Sequence, residues 1–488
     1  MFILVVLIFV PPVRITNIPQ NIFFILLLFL SIYSLVKAFG KYEILTVVLI
    51  AFFLRIIFYF TCAHDVLPWN DFALYIDAAF SLHKGDLSLI RSFKDTFPYL
   101  QSFICWESII AALFGENLTI FHILDCLYTS AICAIIYYIA KRIDKEVGLI
   151  SAVLFAIWPS NIMFSSILSC QHIATLVYLS SLYVLIRGHE RERSAKEEYL
   201  YHIAVGLLLG LGQLFHSISS VILIAVLMTM IFTVVKKEKF IRSITCMLLV
   251  IISYLLLVTT FDYYAYVKGY RDTWPVENDL NYKFAIGLNL PDISGKSNST
   301  IRGEYFALDE NGRKEYIQEI IKTNIKMPRQ TFERFMDKLK TQWTGYDRPY
   351  YYLYTGEIES LKEVVESGSA TSQQKGRYYV LQTLEKPFNN FDGTYQGIIL
   401  VLCLIGCIAS IKRKNTLLYP LMNWVLLGYI GVHILIEHQA RYRYFGMPFI
   451  FIYAALGIEF ICGFFVRTKD SFVQLKNYYT KSNYSETR

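Results

Sequence analysis

The sequence predicts an all-α, polytopic helical membrane protein of about twelve transmembrane helices with two sizeable extracytoplasmic loops. Three observations carry that prediction. Hydrophobic residues make up 55% of the chain and charged residues only 17%, whereas a soluble domain carries about a quarter charged residues. Apolar runs recur along the whole chain, and several can cross a hydrocarbon core of about 30 Å. The net charge of +7 is spread over short clusters between those runs. That placement speaks for a lipid bilayer as partner and against nucleic acid.

The runs lie at about 1–12, 21–38, 43–61, 119–140, 147–162, 167–187, 200–214, 217–235, 243–260, 397–411, 416–436 and 445–466. With a cytoplasmic N-terminus, alternation places "KRIDK", "RGHERERSAK", "KKEKFIR", "KRK" and the tail on the inner side. Those connections, with Lys37 and Lys41, hold about twenty-one Lys and Arg, against about three in the short outer ones. Both termini are therefore expected in the cytoplasm. The first run, "MFILVVLIFVPP", lacks a basic n-region and a cleavage site, so it is a poor signal peptide. Its length suits a tilted first helix or a start codon placed late.

This divides the chain into N-terminal spans (1–61), a first outer loop (62–118), central spans (119–260), a second, mostly helical outer loop (261–396), C-terminal spans (397–466) and a cytoplasmic tail (467–488). In the first loop, "WNDFALYIDAAFSLHKGD" places carboxylates directly after a span on a helical pattern. Asp71 follows Pro68 and Asn70, where an N-cap is expected, since a carboxylate there satisfies free backbone amides. "YLQSFICWESIIAALFGEN" reads as a helix lying at the outer surface, with Glu107 on its solvated face. In the second loop, "RKEYIQEIIKTNIKM" and "RQTFERFMDKLKTQW" are amphipathic helices separated by Pro328. "ESGSATSQQKG" reads as flexible.

Asp71, Tyr75, Ala79, Leu82 and Gly85 form a "D…Y…A..L..G" pattern just after an N-terminal span. This resembles the first outer loop of GT-C superfamily glycosyltransferases, in particular the bacterial relatives of protein O-mannosyltransferases and of the aminoarabinose transferase. "FPYLQSFICWESIIAALFGEN", "GLISAVLFAIWPSNIMFSSIL" and "EHQARYRYFGMPFIFIYAALGI" are similar to that group's later segments, in the same order. Two departures stand out: Gln171 where many relatives have an acid, and His216 with Ser217 where they commonly have Arg before Pro.

The resemblance implies transfer of a sugar from a polyprenyl-phosphate donor to a cell-envelope acceptor (polymer, lipid or protein) on the outer face of the membrane. Such a displacement needs a carboxylate to take the acceptor's proton and cations to hold the departing phosphate. The resemblance makes Asp71 the base, with Asp77 and Glu107 as supporting acids. Arg441 and Arg443, interleaved with tyrosines at a span terminus, suit a lipid phosphate, because a guanidinium binds it in bidentate fashion. Arg55, inside a span, and His216, at a span end, are further candidates for the phosphate.

Nothing else in the sequence carries chemistry as strongly. There is no Walker A motif, and no tight DxD pair is found in an outer loop, so no cofactor and no essential metal are expected. The nine cysteines are scattered without CxxC or Cys/His spacing, so neither a zinc site nor a disulfide framework is expected. The rival readings are a polysaccharide polymerase or flippase of the cell envelope and, third, an ion-coupled transporter. The early position of Asp71 and the lack of an internal repeat speak against both.

Overall fold

A computed structural model describes residues 18–464, apart from 94–96, 191–192, 234–239, 275–280, 290–297, 344–347, 412 and 414–416. The expected first span (1–12) and the tail (467–488) lie outside the described residues. Among those described, every regular element is helical.

Among the described residues, eight helices are long and apolar enough to cross a membrane: Ile18–Ala38, Gly40–Ala63, Leu118–Ala140, Ala195–Phe215, Phe240–Val267, Ser372–Ser410, Leu418–Leu435 and Met447–Phe464. Three more run beside them and fall short in length or apolarity: Lys145–Ala156, Cys170–His189 and Ser219–Thr233. The run expected at 147–162 is broken. Trp158 leaves the helix, and Pro159 starts a new one, Pro159–Phe164, as a residue without an N–H can at a first turn. Asp392 Oδ1 accepts from Ser160 N at 3.1 Å and Ser160 Oγ at 2.6 Å, which satisfies the new helix start inside the protein.

The helix ends sort the charges. Lys37 pairs with Glu146 at 2.7 Å, Lys145 with Glu43 at 2.6 Å and Arg142 with Glu190 at 2.5 Å; Arg242 pairs with Glu198, and Arg413 with Glu459. By connectivity all of these occupy one end of the bundle. The opposite end carries the two large loops.

Those loops are built from helices. Asp71–His83 packs on Gln101–Phe114, and the second loop holds Asn281–Leu288, Ser299–Ala307, Glu310–Lys326, Pro328–Trp343 and Pro349–Glu366. The two amphipathic helices expected around Pro328 are both present. The stretch read as flexible is ordered instead. Thr371 caps Ser372–Ser410 in a capping box with Gln374, and that helix of 39 residues is about 58 Å long, so it extends well beyond a bilayer core.

Candidate active site

Asp71 does not cap its helix. Asn70 is the N-cap, at a positive φ of 57°, and Asp71 is the first helical residue. Its carboxylate is therefore free to face outward, with 41% of the side chain exposed. Across from it stands Arg441, whose Nη2 donates to Asp71 Oδ2 at 3.4 Å. The two residues most strongly singled out by sequence thus meet from opposite ends of the chain.

Arg441 is held by rings. Its guanidinium lies 4.6 Å from the Tyr352 ring centroid, 5.2 Å from that of Phe72 and 5.7 Å from that of Tyr442, an arrangement that favours a cation over the ring faces. Hydrogen bonds fix two of those rings. Tyr352 Oη donates to Gln439 Oε1 at 3.0 Å, Gln439 Nε2 to Glu437 Oε1 at 3.1 Å and Tyr442 Oη to Glu437 Oε1 at 3.4 Å. Burial pushes the Tyr352 and Tyr442 phenols up, so both stay protonated and donate. A cleft lined by Val66, Trp69, Phe72, His122, Ser166 and Tyr352 opens beside these rings.

The segment bearing Arg441, Ala440–Phe445, is a 3-10 helix anchored from two sides. From the bundle, Arg55 donates to the carbonyls of Ala51 at 2.8 Å and Ala156 at 3.1 Å and to the Asn161 side chain. Asn161 Nδ2 then donates to Tyr444 Oη at 2.8 Å, and His172 Nδ1 lies 3.1 Å from the same hydroxyl. From the loop, Lys338 donates to the carbonyls of Gly287, Ile434 and Ile436 at 3.1, 2.7 and 2.6 Å. The backbones come so close there that a Cβ at Gly287 would meet the Ile436 carbonyl carbon at 2.3 Å.

This geometry reassigns three candidates. Arg55 is fully buried and turns its Nη1 and Nη2 donors to bundle groups behind the Arg441 segment, which suits a positioning residue better than a phosphate ligand. Arg443 is also fully buried and donates to the carbonyls of Gln342 at 3.3 Å and Trp343 at 3.0 Å. Glu107 is buried as well, contrary to a solvated face, and burial pushes its carboxyl up to about 8. Asp77 is exposed, and none of the hydrogen bonds or ion pairs at the Asp71–Arg441 pair involves it. His216 caps Ala195–Phe215, and burial holds it down at about 3. Its Nδ1 accepts from Ile218 N at 3.3 Å, which leaves Nε2 as a neutral donor. Gln171 is 5% exposed, and its Oε1 lacks a partner.

Sequence reasoning missed Tyr352, Glu437, Gln439 and Lys283. Lys283 Nζ sits 3.2 Å from Tyr99 Oη and 5.2 Å from its ring centroid. The aromatic run "RPYYYLY" was the one visible signal for Tyr352.

Residues 98–263 match the family model described as dolichyl-phosphate-mannose-protein mannosyltransferase. The match supports a GT-C superfamily glycosyltransferase. Within it lie almost all of "FPYLQSFICWESIIAALFGEN" and the whole of "GLISAVLFAIWPSNIMFSSIL"; Asp71 and Arg441 lie outside. No curated protein matches the chain. Among solved structures, the archaeal oligosaccharyltransferase AglB from Archaeoglobus fulgidus, in complex with an inhibitory peptide and a dolichol-phosphate, is similar at a TM-score of 0.46 and 14% identity. That alignment covers 87% of this chain and 51% of AglB, so the chain spans about half the length of that relative. ArnT from Cupriavidus metallidurans, bound to undecaprenyl phosphate, is similar at a TM-score of 0.39 and 11% identity, over 86% of this chain and 77% of ArnT. Likeness at this level leaves the reaction of this chain to be argued from its own residues.

Proposed function

We propose that the chain transfers a sugar from a polyprenyl-phosphate donor to a cell-envelope acceptor, with Asp71 as general base and Arg441 as the phosphate-binding cation. The observation that carries this reading is the Asp71–Arg441 pair. A half-exposed carboxylate and a caged guanidinium stand side by side, as an inverting displacement requires. The acceptor's proton goes to Asp71, and the departing phosphate stays with Arg441. A donor phosphate entering the cage would compete for Arg441 and release Asp71 to meet the acceptor. His216 lies within electrostatic reach of Lys283 and Arg441, whose charges add to burial in keeping its imidazole neutral. The loop end faces outward in this reading, both termini are cytoplasmic, and no metal takes part.

The test is Asp71→Asn. Asparagine keeps the shape and the helix start but cannot accept a proton. Removal of a general base costs typically about 10²–10⁴-fold in rate, so the purified variant should bind donor lipid normally and transfer almost no sugar. Transfer at near the wild-type rate would refute the assignment.

A further inference from the structure

At the charged end of the bundle, the far side from Asp71, a second cluster stands apart from the sugar-transfer reading. Glu198, His202 and Cys246 place one ligand atom each within 4.8 Å of the others. His202 is 1% exposed. Its Nδ1 lies 2.7 Å from the Glu198 carbonyl, which fixes that nitrogen as the N–H donor and leaves Nε2 with its lone pair. Nε2 is buried without a partner. His189 repeats the arrangement: Nδ1 lies 2.9 Å from the Leu185 carbonyl, Nε2 is buried and unpartnered, and its ring centroid is 5.3 Å from that of His202. Cys246 is a free thiol, 1% exposed.

We propose that Glu198, His202 and Cys246 hold a transition-metal ion of the zinc class, with the fourth position open to a water or, after its ring turns, to His189. A buried imidazole nitrogen without a partner is costly to leave so, and the ion would satisfy that of His202. A protonated Nδ1 on a backbone carbonyl is the outer-shell support that metal-binding histidines use. A mixed thiolate, imidazole and carboxylate set suits zinc and disfavours calcium or magnesium, which take oxygen ligands. Tetrahedral zinc sets its ligand atoms about 3.4–3.8 Å apart, so the cluster closes by about 1 Å. Glu198 also pairs with Arg242; one carboxylate oxygen can stay with Arg242 while the other turns to the ion. The ion would join the ends of Ala195–Phe215 and Phe240–Val267. Its role is structural, about 21–27 Å along the helix from His216. The sequence hid the site because its ligands sit on two helices, with only Glu198 and His202 at the i, i+4 spacing.

The experiment uses the full chain in lipid nanodiscs, purified without a polyhistidine tag, stripped with chelator and reloaded with Zn2+ or Co2+. The wild type should retain about one ion per chain after dialysis, show a thiolate-to-cobalt charge-transfer band, and melt at a higher temperature with zinc. Cys246→Ser and His202→Gln should lose the band and weaken retention by more than about tenfold. A wild type with no cobalt–thiolate band overturns the proposal, whether or not the variants fold. So does zinc retention equal in the wild type and a folded Cys246→Ser.

Discussion

Arg441 and Arg443 look interchangeable in "EHQARYRY", and the fold separates them. Arg441 faces Asp71 from an aromatic cage, and Arg443 is buried against the carbonyls of Gln342 and Trp343. Arg441→Lys keeps the charge but loses the fork, so donor-dependent transfer should fall while the melting temperature holds. Arg443→Met should instead leave two buried carbonyls without their donor and cost about 1–3 kcal/mol of stability, and thermal melts beside a transfer assay distinguish the two losses. Glu107 gives a pH test. Its carboxyl is raised from 4.5 to about 8 in the fold by burial, so the folded state holds the proton more tightly than the unfolded one. Its contribution is fully present below about pH 4.5 and lost as pH rises through about 8. Glu107→Gln cannot ionise and should remove that slope, leaving the variant more stable than wild type by a few kcal/mol above about pH 8. Parallel melts at about pH 5 and about pH 9 check it. Asp71 and Arg441 were legible from their local settings. Their pairing was not, because no local pattern links positions so far apart. Glu107 was misread because an amphipathic pattern does not say which neighbour covers the polar face.

Helices were more legible than side chains. The apolar runs marked the spans, and the period around Pro328 marked both loop helices. Two readings failed for local reasons. "ESGSATSQQKG" has a loop's composition, yet the Thr371–Gln374 capping box starts a helix inside it. The run at 147–162 is apolar throughout, yet Pro159 divides it. Glycine spacing decides one contact between elements. A Cβ at Gly406 would lie 1.8 Å from the Tyr453 carbonyl oxygen, and one at Gly457 would lie 2.1 Å from that of Leu402. The helices Ser372–Ser410 and Met447–Phe464 therefore touch backbone to backbone, as small residues allow in membranes. Gly406→Val should force them apart at a cost of about 3 kcal/mol, seen as loss of monodisperse protein on size exclusion. Gly431, with nothing within 4 Å of its would-be Cβ, should accept alanine with no such loss.

For the whole molecule, charge alone divided the chain into two sides, and the ion pairs Lys37–Glu146, Lys145–Glu43, Arg142–Glu190, Arg242–Glu198 and Arg413–Glu459 tie span ends together at one end of the bundle, while the loop helices collect at the other. About twelve crossings were read from the sequence; among the described residues eight helices are long and apolar enough to cross, and Lys145–Ala156 and Ser219–Thr233, both read as spans, are shorter. Orientation is testable with Cys62 and Cys462 replaced by Ser. Cysteine at Ser369 should react with an impermeant thiol reagent in intact cells, and cysteine at Ser194 only after permeabilisation. Reaction at 194 in intact cells would invert the sidedness and remove the site from the outer face.

The Asp71–Arg441 pair joins residues 370 positions apart, and that separation has a meaning in time. At about 5–20 residues per second of synthesis, Asp71 leaves the ribosome on the order of 20–70 s before Arg441 does. Through that interval the nascent chain carries a carboxylate at the membrane surface with no cation to oppose it. On the proposed reading, a chain that stalls or is cut before Arg441 is made lacks the phosphate-binding cation. Under that reading, catalytic competence arrives only once Arg441 has been synthesised and has met Asp71.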